Sequence, residues 1–251
     1  MGGRERYYNQ LIRIHFSEVL PEHGQCRLPQ EAAHHVAHVM RCKVGDALTL
    51  FDGRGGVREA RITAVARGGV DIQVGPLRLE SRESPLSVVL VQALSSGDRM
   101  DYTVQKSVEL GVQEIHPVIS ARSVVRLSGA RAERRVQHWQ SVAISACEQC
   151  GRNVVPPVMP LLTLSQWLAT SQTPALKLIL APEADLRLAA LPRPVGPVWL
   201  LAGPEGGFTP EELADAEVAG FRSLSLGPRI LRTETAAVAG LAALQTLWGD
   251  F

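Results

Sequence analysis

The sequence predicts an α/β domain on a mainly parallel sheet, preceded by a smaller β-rich domain. Three observations carry this. Continuous apolar runs such as Leu86–Leu94 and Val198–Ala202 alternate with helical stretches in the second part of the chain, the pattern of strands buried on both faces. In the first part, short strand-like runs are punctuated by Asp52-Gly53, Gly55-Gly56 and Gly68-Gly69 at about ten-residue spacing, as in a small barrel. Between them lies Glu80-Ser-Arg-Glu-Ser-Pro85, polar and closed by proline, which reads as a linker.

Leu11–Phe16 reads as a strand and Pro29–Val39 as one short helix. Asp46–Phe51, Val57–Ala66 and Val70–Val74 follow as strands. Beyond the linker come a strand at Leu86–Leu94, a helix at Asp98–Leu110 and a strand at Glu114–Ile119. A basic helix spans Ala130–Gln149. Strands at Leu176–Leu180 and Val198–Ala202, a helix at Pro210–Ala219, a strand at Ser223–Leu226 and a helix at Thr235–Trp248 complete the order.

At 251 residues the chain needs no disulfide or metal staple to bury a core. No apolar run is long enough to span a bilayer, and Met1–Gln10 lacks the apolar centre of a signal peptide, so a cytoplasmic protein without membrane attachment is expected. Cys147 and Cys150 form a CxxC, but Cys26 and Cys42 lie sixteen apart, not at the spacing of a second zinc pair. His34 and His38 share a helix face, yet no glutamate follows His34 and no third ligand is evident. No metal is expected. Net charge is +1, so there is no global basic field, but Arg122, Arg126, Arg131, Arg134, Arg135 and Arg152 face only Glu133 and Glu148 within their stretch. Arginine forks bind phosphates bidentately, which suits nucleic acid.

The segment Leu201-Ala-Gly-Pro-Glu-Gly-Gly-Phe-Thr-Pro-Glu-Glu212 leaves the C-terminal end of a strand, where open α/β sheets bind ligands. Thr209 is a helix N-cap, Pro210 sits at N1, and Glu212 at N3 completes a capping box. Gly203, Gly206 and Gly207 remain, and they allow backbone to approach a ligand closely. A second strand-to-helix loop follows, Ser223-Leu-Ser-Leu-Gly-Pro-Arg-Ile-Leu-Arg-Thr-Glu-Thr235. Two such loops could wall one pocket, although Gly-Pro pairs also serve simply as turns. Neither matches GxGxxG or the P-loop, which weakens dinucleotide and nucleoside-triphosphate readings.

Gly203-Pro-Glu-Gly-Gly-Phe208 and Leu226-Gly-Pro-Arg-Ile-Leu-Arg-Thr-Glu-Thr-Ala236 resemble the two cofactor motifs of SPOUT-class RNA methyltransferases. More narrowly, the chain resembles the RsmE family, the ribosomal RNA small subunit (uracil-N3)-methyltransferases. Lys106–Val112, Ile115–Val118, Glu148-Gln149 with Arg152, and Val155-Pro156 agree. His34-His35-Val36, Val39-Met-Arg41 and Gly45-Asp46 resemble the family's PUA-like barrel. Met40 stands where the family pattern has leucine, and Pro228 lies inside the second loop.

The resemblance implies a PUA-like RNA-binding β-barrel over 1–78 and a SPOUT trefoil-knot domain over 79–251. It implies a homodimer with the C-terminal helix in its interface, acting on 16S rRNA within the small ribosomal subunit at the family's uridine 1498. S-adenosylmethionine would be held by Leu201, Ala202, Gly203, Gly206, Gly207, Leu226, Ile230, Leu231 and Thr235. Arg152, Arg229, Arg232 and Glu234 would serve the reaction, with Glu148 an alternative proton acceptor to Glu234. Arg4, Arg6, Arg13, Arg41 and Arg122 are the expected RNA contacts. A SPOUT enzyme acting on transfer RNA or a ribose 2′-hydroxyl, and a non-catalytic RNA-binding assembly factor, stay open on the sequence.

Overall fold

A computed structural model describes residues 12–18, 20, 23–170 and 173–251. Arg4, Arg6 and Leu11 lie outside the described residues. The chain divides into two compact units, Met1–Glu83 with Cys147–Val155, and Ser84–Ala146 with Pro156–Phe251. Their sequences interleave, whereas the composition of the chain suggests a single break.

The first unit carries strands β1 (Ile12–His15), β2 (Gly24–Arg27), β3 (Ala47–Phe51), β4 (Gly56–Ala66) and β5 (Gly69–Leu79), with helix α1 (Gln30–His34). The sheet order is β1-β3-β4-β5-β2, with β1 parallel to β3 and the other pairs antiparallel. Ile14 and Phe16 at one edge and Leu28 beyond the other pack into one core with Leu48, Leu50, Ile62, Ile72 and Val36, so the sheet curls round its apolar face. The expected single helix over Pro29–Val39 changes register halfway. His35–Val39 is π-helical, and the Met40 N–H reaches the His35 carbonyl at 2.9 Å. Arg41 then turns the chain in the left-handed region (φ 54°).

Cys147–Val155 belongs here because its polar groups are satisfied here. The Asn153 amide donates to the Glu80 carbonyl at 2.5 Å, and an Arg13 nitrogen donates to Asn153 Oδ1 at 2.7 Å. The His15 N–H donates to Glu148 at 2.9 Å.

The second unit holds strands β6 (Val88–Ala93), β7 (Glu114–Ile119), β8 (Leu162–Thr163), β9 (Leu176–Leu180), β10 (Val198–Ala202) and β11 (Arg222–Leu224). Its order is β11-β9-β10-β6-β7-β8, and every pair is parallel. All six residues of β6 are buried, as a sheet covered on both faces requires. The helices are α2 (Arg99–Glu109), α3 (Gly129–Cys150), α4 (Leu164–Thr170), α5 (Pro210–Val218) and α6 (Thr233–Trp248), α3 ending within the first unit. Gly240 lets α6 lie close on the sheet, since a Cβ there would stand 3.0 Å from Leu200. Among the described residues no helix is long and apolar enough to cross a membrane, and no group of three metal-ligating side chains is present.

Candidate active site

The C-terminal ends of β9, β10 and β11 open into a cleft of about 660 Å³. Its first wall is the glycine loop after β10, Gly203 to Phe208. The capping box at the start of α5 is formed. Thr209 Oγ1 accepts from the Glu212 N–H (3.2 Å) while Glu212 accepts from the Thr209 N–H (3.0 Å). The second Glu212 oxygen accepts from the Ala121 N–H at 2.7 Å. Beside it Arg122 donates to the Gly206 and Phe208 carbonyls at 3.0 and 3.3 Å. One carboxylate and one guanidinium thus brace the loop.

The glycines matter for two reasons. A Cβ on Gly203 would stand 3.1 Å from the Phe208 ring, and Gly207 has φ +68°. At these glycines no side chain stands on the wall, so an occupant meets backbone there.

The second wall is the loop after β11, with Leu226, Gly227, Arg229, Ile230, Leu231 and Arg232 on the cleft. The third wall, Leu180 to Glu183 at the end of β9, was not foreseen. Only the strand order reveals it, because β9 lies beside β10. The second and third walls are clasped together. Ser225 N–H donates to the Leu186 carbonyl (3.0 Å), and the Ser225 hydroxyl to that of Pro182 (3.3 Å). At the floor the Thr233 hydroxyl donates to the Gly203 carbonyl at 2.5 Å, and Gln92 donates to Thr233 Oγ1 at 3.2 Å. Gln92 is fully buried, and its Oε1 has no hydrogen-bond partner.

A carboxylate–guanidinium cluster lines the mouth. Glu205 accepts from the Ser96 N–H (2.8 Å), the Ser96 hydroxyl (2.7 Å) and Arg99 (2.6 Å). Burial alone would raise the Glu205 carboxyl, but these donors outweigh it and hold it down at about 2. Arg99 Nε also lies 3.9 Å from Glu234, whose Oε2 is buried without a hydrogen-bond partner. Glu205 lies in the Gly203–Phe208 motif, which gives it no role of its own, and Arg99 belongs to no motif. The available signal was the turn Ser96-Gly97-Asp98, which follows a buried strand and starts a helix.

Of the expected cofactor residues, Gly203, Gly206, Gly207, Leu226, Ile230 and Leu231 line the cleft. Leu201 and Ala202 do not reach its surface. They are fully buried, and Leu201 packs into the core with Val91, Trp167 and Phe221. Thr235 is exposed in the first turn of α6 and is also absent from the lining; Thr233, two residues earlier, points inward instead. Arg229, Arg232 and Glu234 come together on the cleft, joined by Arg122.

Arg152 lies in the first unit, 3 % exposed, and its guanidinium is bonded to Glu83, with nitrogen–oxygen distances of 2.5 to 3.2 Å. Arg13 is half-buried there. It donates to the Arg152 carbonyl at 3.1 Å and sits 4.8 Å from the centre of the Phe51 ring. Arg41 is exposed. Cys147 is buried, and desolvation pushes its thiol up to about 12, which keeps it protonated and unreactive.

A model of the RNA methyltransferase domain matches residues 82–245, and a model of the RNA methyltransferase PUA domain matches residues 28–75. Among curated relatives, ribosomal RNA small subunit methyltransferase E of Buchnera aphidicola (Acyrthosiphon pisum symbiont) is 34% identical over 242 residues, 96% of each chain. The Bacillus subtilis protein of that name is 30% identical over 250 residues, 96% of this chain and 95% of its own. Among solved structures, ribosomal RNA small subunit methyltransferase E of Neisseria gonorrhoeae, bound to S-adenosylmethionine, superposes with a TM-score of 0.91 at 44% identity, covering 96% of this chain and 99% of that one.

Proposed function

This chain belongs to the ribosomal RNA small subunit methyltransferase E family, and from that membership we propose that it methylates N3 of a uracil in 16S rRNA, using S-adenosylmethionine. The observation that carries the reading is the cleft itself. Three strand-end loops converge, the first of them glycine-rich, on an apolar lining of Leu180, Leu213, Leu226, Leu231 and Ala236. An adenosine needs an apolar slot edged by backbone donors and acceptors, and this lining supplies both. Ile230 stands 88% exposed on the cleft wall, an apolar side chain that an occupant would cover.

The cofactor supplies an activated methyl group on a sulfonium. The chain's own task is to align the target nitrogen with that group and to stabilise the anion formed when N3 loses its proton. Arg229 and Arg232 are exposed at the cleft and permanently charged, and in this reading they face that anion. Glu234 lies on the cleft with Oε2 3.9 Å from Arg99, and in this reading it anchors an arginine or accepts the N3 proton. The N3 lone pair then forms the bond to the methyl carbon as the carbon–sulfur bond breaks, leaving a neutral thioether. Arg152 is better assigned to holding the smaller unit together through Glu83.

In this reading the chain works in the cytoplasm as a homodimer on the small ribosomal subunit, and its larger domain carries the family's trefoil knot. Leu247 and Phe251, 47% and 65% exposed at the C-terminal end, are apolar side chains that such a dimer would cover. The test is incorporation of a labelled methyl group into unmodified small subunits. Label in the 16S RNA supports the reading, and none, with an active control enzyme, overturns it.

A further inference from the structure

The cleft accounts for Arg99, Arg122, Arg229 and Arg232, but not for the arginines of α3. Arg131, Arg134, Arg135 and His138 fall at i, i+3, i+4 and i+7, so they form one stripe along the helix. The acid in that stretch, Glu133, falls on the opposite side. Arg131, Arg134 and His138 are exposed.

Four other arginines are held by carboxylates. Arg27 pairs with Asp71, Arg78 with Glu59, Arg99 with Glu205 and Arg152 with Glu83. Among the described residues no carboxylate lies within ion-pairing distance of Arg126, Arg131, Arg134 or Arg135.

The stripe is also held in place. The Arg135 guanidinium carbon lies 5.6 Å from the centre of the buried Trp139 ring, and Trp139 Nε1 donates to Asp101 at 3.0 Å. His138 bonds the other Asp101 oxygen at 2.7 Å. Asp101 stands on α2, two residues after Arg99, which lines the cleft. The stripe is therefore tied to the helix that starts at the cleft mouth. Arg122 and Arg126 continue the run of cations ahead of it.

Resting on the function proposed above, we infer that the Arg131–Arg134–Arg135 face of α3 is a docking surface for the phosphates of the RNA strand that flanks the target uridine. Three arginines without carboxylate partners, within little more than one helical turn or about 6 Å of helix axis, present a cluster of forks to a phosphate backbone. An acidic protein segment would use the same charges. RNA is the better fit because the proposed substrate is a polyanion, and α2, to which the stripe is bonded, also carries Arg99 on the cleft.

The test uses the full chain with Arg131→Gln, Arg134→Gln and Arg135→Gln combined, and unmodified 16S RNA as the probe. Binding is measured across salt concentrations, apart from methyl transfer. For single-stranded contacts each lost phosphate lowers the salt slope by about 0.7, so the triple variant is expected to lose about 2 in slope. It should bind RNA at least about tenfold more weakly, with cofactor affinity unchanged, and triple lysine replacement should restore most of the slope. Glu133→Gln, on the opposite face, should leave the slope unaltered. An unchanged slope in the triple variant overturns the inference and leaves an acidic protein as the occupant. A Glu133→Gln effect of similar size overturns it too, because net charge alone would then explain the data. Failure of the wild-type chain to transfer methyl groups would count against the reaction instead, since the binding slope is read independently.

Discussion

The hydroxyl of Thr233 donates to the carbonyl of Gly203 at 2.5 Å, and this bond joins the two glycine loops across thirty residues of sequence. Gly203 ends the exit from β10, and Thr233 opens α6. Their junction, backed by fully buried Gln92, fixes the cleft floor. Thr233→Val keeps the shape and removes the donor. It leaves a carbonyl and an amide short of partners, at a cost of about 1–3 kcal/mol. Calorimetry should find weaker S-adenosylmethionine binding with the chain still folded. Unaltered affinity would show that the floor does not order the site.

Gly203→Val should damage the cleft more. Its first carbon would press the Phe208 ring at 3.1 Å, and the further methyls would enter the space above the loop. Gly207→Val meets no neighbour within 4 Å, so its penalty is backbone strain at φ +68°, about 1–2 kcal/mol. Both should lose cofactor binding without losing the cooperative unfolding transition, Gly203→Val the more severely. Normal affinity in Gly203→Val would remove that loop from the cofactor site.

Arg152→Ala separates two roles for one residue. The buried guanidinium leaves Glu83 without its partner, so stability should fall by about 3–5 kcal/mol. Cofactor affinity of the folded fraction should stay unchanged. An undiminished unfolding temperature together with lost methyl transfer would instead return Arg152 to the reaction.

Glu205 sets a pH limit on the first loop. Its carboxyl is lowered from 4.5 to about 2 in the folded chain, so the ionised form favours the fold. That contribution is complete above 4.5 and is lost as pH falls through about 2. The stability advantage of wild type over Glu205→Gln, read from unfolding transitions, should therefore be full above pH 4.5 and shrink as the pH falls towards 2, because the variant lacks the contribution at every pH. Parallel acid profiles for the two proteins would contradict this role for Glu205.

What was legible in the sequence follows from where its signals are strong. The strands Glu114–Ile119, Leu176–Leu180 and Val198–Ala202 are found at the residues their apolar runs mark, and Thr209, Pro210 and Glu212 cap α5 as their types require. Gly24–Arg27 and Leu162–Thr163 were not anticipated because four and two residues carry no periodicity, and α4 has barely two turns. The third wall depends on β9 lying beside β10, a non-local fact that no motif at Leu180–Glu183 announces. The family motif placed Gly203, Gly206 and Leu226 on the cleft, yet alignment of a motif does not say which way a strand residue faces. Leu201 and Ala202 are fully buried at the end of β10, and Thr235 lies on the exposed side of the first turn of α6.

The most direct test of the central claim is nucleoside mass spectrometry of 16S RNA after incubation of the chain and S-adenosylmethionine with small ribosomal subunits lacking the modification. The account predicts 3-methyluridine in the product. A different methylated nucleoside, or none beside an active control, would contradict it.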